Sequence, residues 1–162
     1  MKILVVYYSR DGHTRNVAKE IATTLAADVE EIREITSRKG IMGWITGAMG
    51  SFLRQSVALE SSMVDPANYD LAIIGTPIWM YTMTPAVRAW LKKHGKKLKQ
   101  VVFFATMGGK GDKNAFAGME KLCAKAPLLT AAFIDKTIDT KWHQPQLDAF
   151  LQEIREYLIK AG

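Results

Sequence analysis

Apolar runs with few charges recur along the chain and alternate with stretches of helical periodicity. Runs of this kind, bounded by turn-forming residues, are typical of strands that are buried on both faces of a sheet. They predict four strands, at Ile3–Tyr8, Tyr69–Thr76, Gln100–Thr106 and Leu129–Asp135. A weaker strand is indicated where Val29, Ile32 and Ile35 are spaced among acidic residues.

Helical patterns fill the intervals between these strands. Apolar residues three and four positions apart predict helices at Thr14–Ala27, Thr84–His94, Asn114–Lys125 and Gln144–Lys160. This alternation indicates a mostly parallel sheet with helices on both faces. We therefore predict an α/β fold, a doubly wound five-stranded parallel sheet, as a single domain over residues 1–162.

Ligands of doubly wound sheets bind beyond the carboxyl ends of the strands, near the point where the strand order reverses. In this sequence three loops occupy such positions: Ser9–Arg15, Pro77–Thr84 and Met107–Lys113. Each has an unusual composition for a simple connection. We expect the functional site to be built from these loops.

The first loop, SRDGHTR, joins a buried strand to a helix. A helix start of this kind presents backbone N–H groups and the positive end of the helix dipole, which bind anions. Gly12 allows a tight turn and close approach to a ligand, and the hydroxyls of Ser9 and Thr14 can donate to phosphate oxygens. The alternative is an ordinary strand-to-helix turn with a Ser, Thr or Asp cap.

The other two loops carry aromatic residues and glycine. Trp79 and Tyr81 follow the strongest strand, where an aromatic ring can stack on a flat ligand. Trp79 could instead fold back into the core, but its position beside the first loop favours contact with a ligand. The segment from Thr106 to Asp112 reads TMGGKGD, which allows a close backbone approach to a ligand or forms a flexible surface turn. Its spacing matches neither a dinucleotide fingerprint nor a Walker loop.

Composition narrows the class of protein. The chain has 162 residues, a formal charge of +6 and one cysteine, Cys123, so we expect a cytoplasmic protein without an intramolecular disulfide. The basic residues are scattered apart from a cluster at residues 92–99, and we expect no nucleic-acid partner. The short apolar run after Lys2 leads us to expect no signal peptide, and the absence of a long apolar run leads us to expect no membrane helix.

The segment 39–53 has no simple place in the alternation of strands and helices. It contains four glycines, two methionines and a tryptophan between basic flanks. We expect it to pack on the domain as a connecting helix. Contact with a membrane surface and a flap over the site are the alternatives.

The sequence lacks the catalytic residues that several enzyme classes with this fold require. The first loop has no nucleophilic cysteine, the third strand ends in Thr76-Pro77 rather than in an aspartate, and no G-x-S-x-G elbow occurs. His13, His94 and His143 lack the spacing of metal ligands, so we predict no metal site. No side chain stands out as a catalytic acid or base. His13 and Tyr81 are the candidates nearest the predicted site.

Three segments, taken in order, resemble the flavodoxins and flavodoxin-like FMN proteins over nearly the whole chain. They are KILVVYYSRDGHTRNVAKEIA, DLAIIGTPIWMYTMTPAVRAWL and VVFFATMGGKGDKNAF. The resemblance implies strand order 2-1-3-4-5 and FMN, with its phosphate in the first loop and its ring between the other two. The implied cofactor-binding residues are Ser9, Arg10, Asp11, Gly12, His13, Thr14, Thr76, Pro77, Ile78, Trp79, Met80, Thr106, Met107, Gly108 and Gly109.

The chain departs from the family pattern at four points. Asp11 replaces a hydroxyl residue, and we expect it to turn away from the phosphate and cap the helix. Met107 and Gly108 stand where the family has its second stacking aromatic residue. Met80 replaces a frequent glycine, and its side chain should hinder a change to positive φ. The chain is also basic, whereas carriers of this family are usually acidic.

These observations leave two redox functions open. The resemblance implies an electron carrier that passes electrons from bound FMN to a redox partner protein. An FMN-dependent NAD(P)H or quinone-type oxidoreductase acting on a small quinone-like acceptor is the alternative. It includes protoporphyrinogen-oxidase-like activity, because the SRDGHTR loop is similar to the loop of those enzymes. A binding module without FMN is a third reading, which the intact first loop disfavours.

Overall fold

A five-stranded parallel sheet forms the centre of the structure, a computed structural model that describes residues 1–35 and 57–161. The strands are β1 (Ile3–Tyr7), β2 (Asp28–Glu31), β3 (Leu71–Trp79), β4 (Thr82–Met83), β5 (Gln100–Met107) and β6 (Thr130–Ile134). The α-helices are α1 (His13–Leu25), α2 (Pro85–His94), α3 (Asp112–Cys123), α4 (Asp135–Asp139) and α5 (Gln144–Ala161). Short 3-10 turns lie at Pro66–Asn68 and Gly95–Lys97.

The parallel strands lie in the order β2-β1-β3-β5-β6, and β4 pairs with the end of β3 in the antiparallel sense. Apart from the extra strand β4, this is the order predicted from the sequence. The switch point lies between β1 and β3, which pair from Ile3 with Leu71 to Tyr7 with Gly75. The carboxyl ends of β1, β3 and β5 therefore meet at one edge of the sheet.

Both faces of the sheet are covered, as the continuous apolar strands predicted. On one face, Val5 of β1 belongs to a buried cluster with Ile21 of α1 and Phe150 of α5. On the other face, Leu4 of β1 joins a second buried cluster with Leu91 of α2. Successive residues of a strand point to opposite faces, so β1 supplies both cores.

Several predicted boundaries were wrong. The third strand continues beyond Thr76 to Trp79, so part of the second predicted loop is strand. The weak second strand ends at Glu31 rather than reaching Ile35. Helix α1 ends earlier than predicted because Ala26 adopts a left-handed conformation, with φ of 50°. The one-turn helix α4 was not predicted.

The segment 39–53 lies outside the described residues, so its predicted packing on the domain stays a prediction. None of the described helices has the length and apolar character that a membrane crossing requires.

His94, at the end of α2, is a buried titratable group away from the carboxyl edge of the sheet. Its ring packs against Trp90 with 4.9 Å between the ring centroids. Burial lowers the pKa of His94, and the positive charges of Lys93 and Lys97 lower it further, against the opposite effect of Asp65. The folded protein therefore favours neutral His94 more than the unfolded chain does.

We expect this histidine to reduce stability in acid. Between its lowered folded pKa and the unfolded value of about 6.5, the unfolded chain binds more protons, so the free energy of unfolding rises with pH. Chemical denaturation across this pH range measures the slope. His94→Phe, which keeps an aromatic ring, should lose this part of the slope, and an unchanged slope would contradict the assignment.

Candidate functional site

The loop between β1 and α1 forms an open helix start at the carboxyl edge of the sheet. Gly12 is the N-cap of α1, with φ of 98°, and in the described residues no side chain caps the helix. A Cβ built on Gly12 meets no atom of the described protein within 4 Å. The helix start thus has open space at Gly12 and no capping side chain from its N-cap residue, an arrangement that suits the approach of an anion.

Two hydroxyl residues hold this loop in shape. Ser9 Oγ accepts a hydrogen bond from the backbone N–H of Gly12 at 3.2 Å. Accepting this bond leaves the hydroxyl proton able to bind a phosphate oxygen. Thr14 is buried, and its hydroxyl lies 2.7 Å from that of Thr106 at the end of β5. This contact joins the first loop to the third one across the sheet edge.

A pocket of about 200 Å³ opens at this helix start. It brings together residues from the ends of β1, β3, β5 and β6. Its lining residues are Ser9, Arg10, Asp11, His13, Thr14, Pro77, Ile78, Trp79, Thr106 and Asp135. All of these except Asp135 belong to the site predicted from the sequence.

Asp135 is the functional candidate that sequence reasoning missed. It follows β6 directly and begins α4, so the parallel topology brings it to the pocket. Its position after an apolar strand was the available signal, but the strand was predicted to include it. Burial raises the pKa of Asp135. His13 lowers that pKa, and the Asp139 and Asp11 carboxylates raise it.

Trp79 lies beside the pocket and is fixed by two neighbours. Its ring makes an edge contact with Tyr8, with 5.8 Å between centroids, and the Arg10 guanidinium lies 5.7 Å from its ring centroid. Burial raises the pKa of Tyr8 to about 12, and Glu34 contributes to the rise, so the phenol stays neutral. Trp79 is half-buried at the pocket rim rather than folded into the core.

The second predicted loop is a tight β-hairpin. Ile78 pairs with Met83 and Trp79 with Thr82, which leaves Met80 and Tyr81 as the two turn residues. Their φ values of 50° and 63° are those of a type I′ turn. Met80 therefore already has the positive φ that its side chain was expected to hinder, and half of that side chain is exposed. Turns of this type usually contain glycine or asparagine, so this one is strained.

The glycine-rich third loop supports the tip of this hairpin. Gly111 has φ of 116°, and a Cβ added to it would lie 2.6 Å from Tyr81 Cα and 2.7 Å from Ile78 Cγ2. Only glycine fits this contact. By contrast, Cβ atoms added to Gly108 and Gly109 meet nothing of the described protein within 4 Å. The loop therefore packs on the hairpin at one end and is open above Met107.

Some predicted site residues do not line the pocket. These are Gly12, Thr76, Met80, Met107, Gly108 and Gly109. Gly12 supplies the bend of the first loop. Thr76 is buried, and its hydroxyl donates to the Pro77 carbonyl and accepts from the Thr84 N–H, which secures the base of the hairpin.

The charged residues of the first loop are arranged differently from the prediction. Asp11 was expected to cap α1, but Gly12 is the N-cap and Asp11 lines the pocket. The N-cap position has a positive φ, a conformation that favours glycine over aspartate, so Gly12 rather than Asp11 occupies it. Arg15 pairs with Glu31 of β2.

The family model described as Flavodoxin matches residues 2–149, nearly the whole chain. The chain belongs to the flavodoxin family. The predicted family and fold are confirmed. No curated protein matches the sequence.

Solved structures of several flavoproteins share this fold. A flavoprotein of Lactobacillus acidophilus in complex with FMN is 21% identical, with a TM-score of 0.63 over 86% of this chain and 97% of that chain. An NADH:FMN oxidoreductase in its apo form is 17% identical, with a TM-score of 0.59 over 97% and 90% of the two chains. Two-electron reduced flavodoxin from Megasphaera elsdenii is 21% identical, with a TM-score of 0.51 over 82% and 85%. At these identities the comparisons establish the fold.

The residues present fit FMN, the cofactor of the flavodoxin family. The uncapped start of α1 and the open space at Gly12 suit a phosphate, and Trp79 offers an aromatic face at the same edge of the sheet. Among the described residues, no group of His, Cys, Asp and Glu side chains could hold a metal ion.

Proposed function

We propose that this protein is an FMN-binding electron carrier that passes electrons to a redox partner protein. The observation that carries the proposal is the anion pocket at the start of α1 with Trp79 at its rim. FMN has one phosphate and one flat ring, and the pocket and the hairpin offer one binding surface for each. Bound flavin supplies the redox chemistry, and the protein supplies orientation and electrostatics.

The first loop binds the phosphate in this proposal. Backbone N–H groups of Arg10, Asp11, His13 and Thr14 and the hydroxyls of Ser9 and Thr14 donate hydrogen bonds to its oxygens, while the Gly12 N–H donates to Ser9 Oγ. Hydrogen bonds to a charged partner are each worth about 1.5–3 kcal/mol, so this small set of donors is sufficient for tight binding. Thr14 keeps its position through Thr106, which connects the phosphate site to the third loop.

The hairpin and the third loop bind the ring. The assigned residues are Thr76, Pro77, Ile78, Trp79, Met80, Thr106, Met107, Gly108 and Gly109. Trp79 covers one side of the ring, and its contacts with Tyr8 and Arg10 hold it in place. The positive charge of Arg10 beside this site favours a negatively charged reduced flavin, so we expect a higher reduction potential than in an acidic carrier.

A specific observation favours the second function, an FMN-dependent oxidoreductase that uses NAD(P)H or a quinone. The space around Gly108 and Gly109 is open in the described structure, and no aromatic residue occupies the place of the family's second stacking residue. A small quinone-like molecule could approach the ring there. Met80 does not distinguish the two functions, since it already has positive φ.

Anaerobic photoreduction of the FMN-loaded protein distinguishes these functions. We expect reduction in two separate one-electron stages, seen as a long-wavelength absorption band that rises and falls, because a carrier exchanges single electrons with proteins. Direct two-electron reduction by NAD(P)H with steady turnover of a quinone would contradict the carrier and support the oxidoreductase. A purified protein that takes up no FMN would contradict both.

A further inference from the structure

His13 lies between two aspartates at the rim of the phosphate pocket. Its Nε2 atom is 2.9 Å from Asp139 Oδ1, and its Nδ1 atom is 3.9 Å from Asp135 Oδ1. His13 and Asp135 both line the pocket, and Asp11 lines it from the first loop. An imidazole and two carboxylates thus line the place assigned to the FMN phosphate, and a third carboxylate, that of Asp139, contacts the imidazole from outside the lining. This is an unusual setting for a group that carries about two negative charges.

The carboxylates oppose the binding of an anion unless positive charge compensates them. Arg15, the next cation along α1, is paired with Glu31, and Arg10 lies over the Trp79 ring. His13 is therefore the group in contact with Asp135 and Asp139 that can take up a proton and become positively charged. A protonated His13 would offset one carboxylate and attract the phosphate.

We propose that FMN binding draws a proton onto the cluster of His13, Asp135 and Asp139, so that affinity for FMN falls as pH rises. A nearby anion favours the protonated form of an imidazole or a carboxyl group. By linkage, a ligand that favours the protonated form binds more tightly where that form is populated. This inference rests on the proposed binding of FMN phosphate in the pocket.

The surroundings of Asp135 support this coupling. Burial already raises the pKa of Asp135, His13 lowers that pKa, and Asp139 and Asp11 raise it. A phosphate beside it acts in the same direction as these two carboxylates. The proton taken up on binding can therefore be shared between the imidazole and the Asp135 carboxyl.

Other charged groups face the cluster, and the experiment must separate their effects. Arg10 and Asp11 face it from the first loop, and Lys136 is exposed on α4 with Asp135 and Asp139. The phosphate itself titrates near about pH 6. Measurements above that pH, with riboflavin as a ligand that lacks phosphate, remove this contribution.

The test is a titration of apoprotein with FMN at several pH values, followed by quenching of flavin fluorescence. For the natural protein we expect the Kd to rise with pH, by up to about tenfold per pH unit where one proton is coupled. His13→Gln should bind FMN more weakly at the lower pH values and show a flatter dependence. His13→Arg keeps a permanent positive charge, so it should bind tightly with little pH dependence.

Calorimetry in buffers of different ionisation enthalpy counts the protons directly. We expect net proton uptake with FMN on the natural protein, less with His13→Gln, and none with riboflavin. Asp135→Asn removes a repelling carboxylate and should bind FMN more tightly at high pH, which provides an independent check. The same pH slope and proton uptake in the natural protein and these variants would overturn the coupling. Absence of FMN binding at every pH would instead overturn the proposed function.

Discussion

Ser9→Asp is expected to weaken FMN binding by about a hundredfold, or about 3 kcal/mol. The Ser9 hydroxyl accepts from the Gly12 N–H at the mouth of the pocket. An aspartate can keep that hydrogen bond, so the loop should retain its shape. It removes a donor to the phosphate and adds a negative charge beside it. Titration of the apoprotein with FMN, followed by fluorescence, measures the change.

Ser9→Asn is the matched control for this substitution. Asparagine has nearly the shape of aspartate, can accept from the Gly12 N–H and carries no charge. We expect its FMN affinity to stay within about tenfold of that of the natural protein, because the substitution alters one hydrogen bond to the phosphate and adds no charge. Riboflavin should bind Ser9→Asp and Ser9→Asn alike. Equal FMN affinities for the two variants would contradict the assignment of the phosphate to this loop.

Gly111→Ala is expected to lower the free energy of unfolding by about 2–5 kcal/mol. Two effects combine here. The φ of 116° is strained for alanine. The added Cβ would also lie 2.6 Å from Tyr81 Cα, a backbone atom that cannot move aside as the end of a flexible side chain could. Because the hairpin carries Trp79, the displacement should also weaken FMN binding. Urea denaturation and flavin titration measure the two effects.

Gly109→Ala, two positions earlier in the same loop, provides the comparison. Its Cβ meets no described atom within 4 Å, and Gly109 is not among the described glycines with positive φ. We expect its free energy of unfolding to change by less than about 1 kcal/mol, as for substitutions away from packed or strained positions. Similar losses of stability for the two variants would show that the contact between Gly111 and the hairpin does not stabilise the site.

The sheet and its helical layers could be predicted because the apolar runs are long and uninterrupted. Such runs as Ile3–Tyr8 leave few alternatives to a strand buried on both faces, and the connecting helices then fix the parallel order. The loop Ser9–Arg15 could also be predicted from the sequence, since one glycine between hydroxyl residues directly precedes a helical pattern.

The hairpin could not be predicted, because its turn lacks the usual residues. A two-residue turn of this type is recognised by Asn-Gly or similar pairs, whereas here Met80 and Tyr81 adopt positive φ. Here a tertiary contact, rather than the turn preference of Met80 and Tyr81, supports the hairpin, since Gly111 packs against the turn from a distant part of the chain. Asp135 was missed for a related reason: its role depends on the topology that places the end of β6 beside the first loop.

A crystal structure of the protein with FMN tests the binding site most directly. We expect the phosphate at the start of α1, within hydrogen-bond distance of the Ser9 hydroxyl and of the other N–H groups of the first loop. The flavin ring should lie against Trp79, with its other side towards Gly108 and Gly109. A phosphate bound elsewhere, or a ring that does not contact the hairpin, would contradict the proposed site.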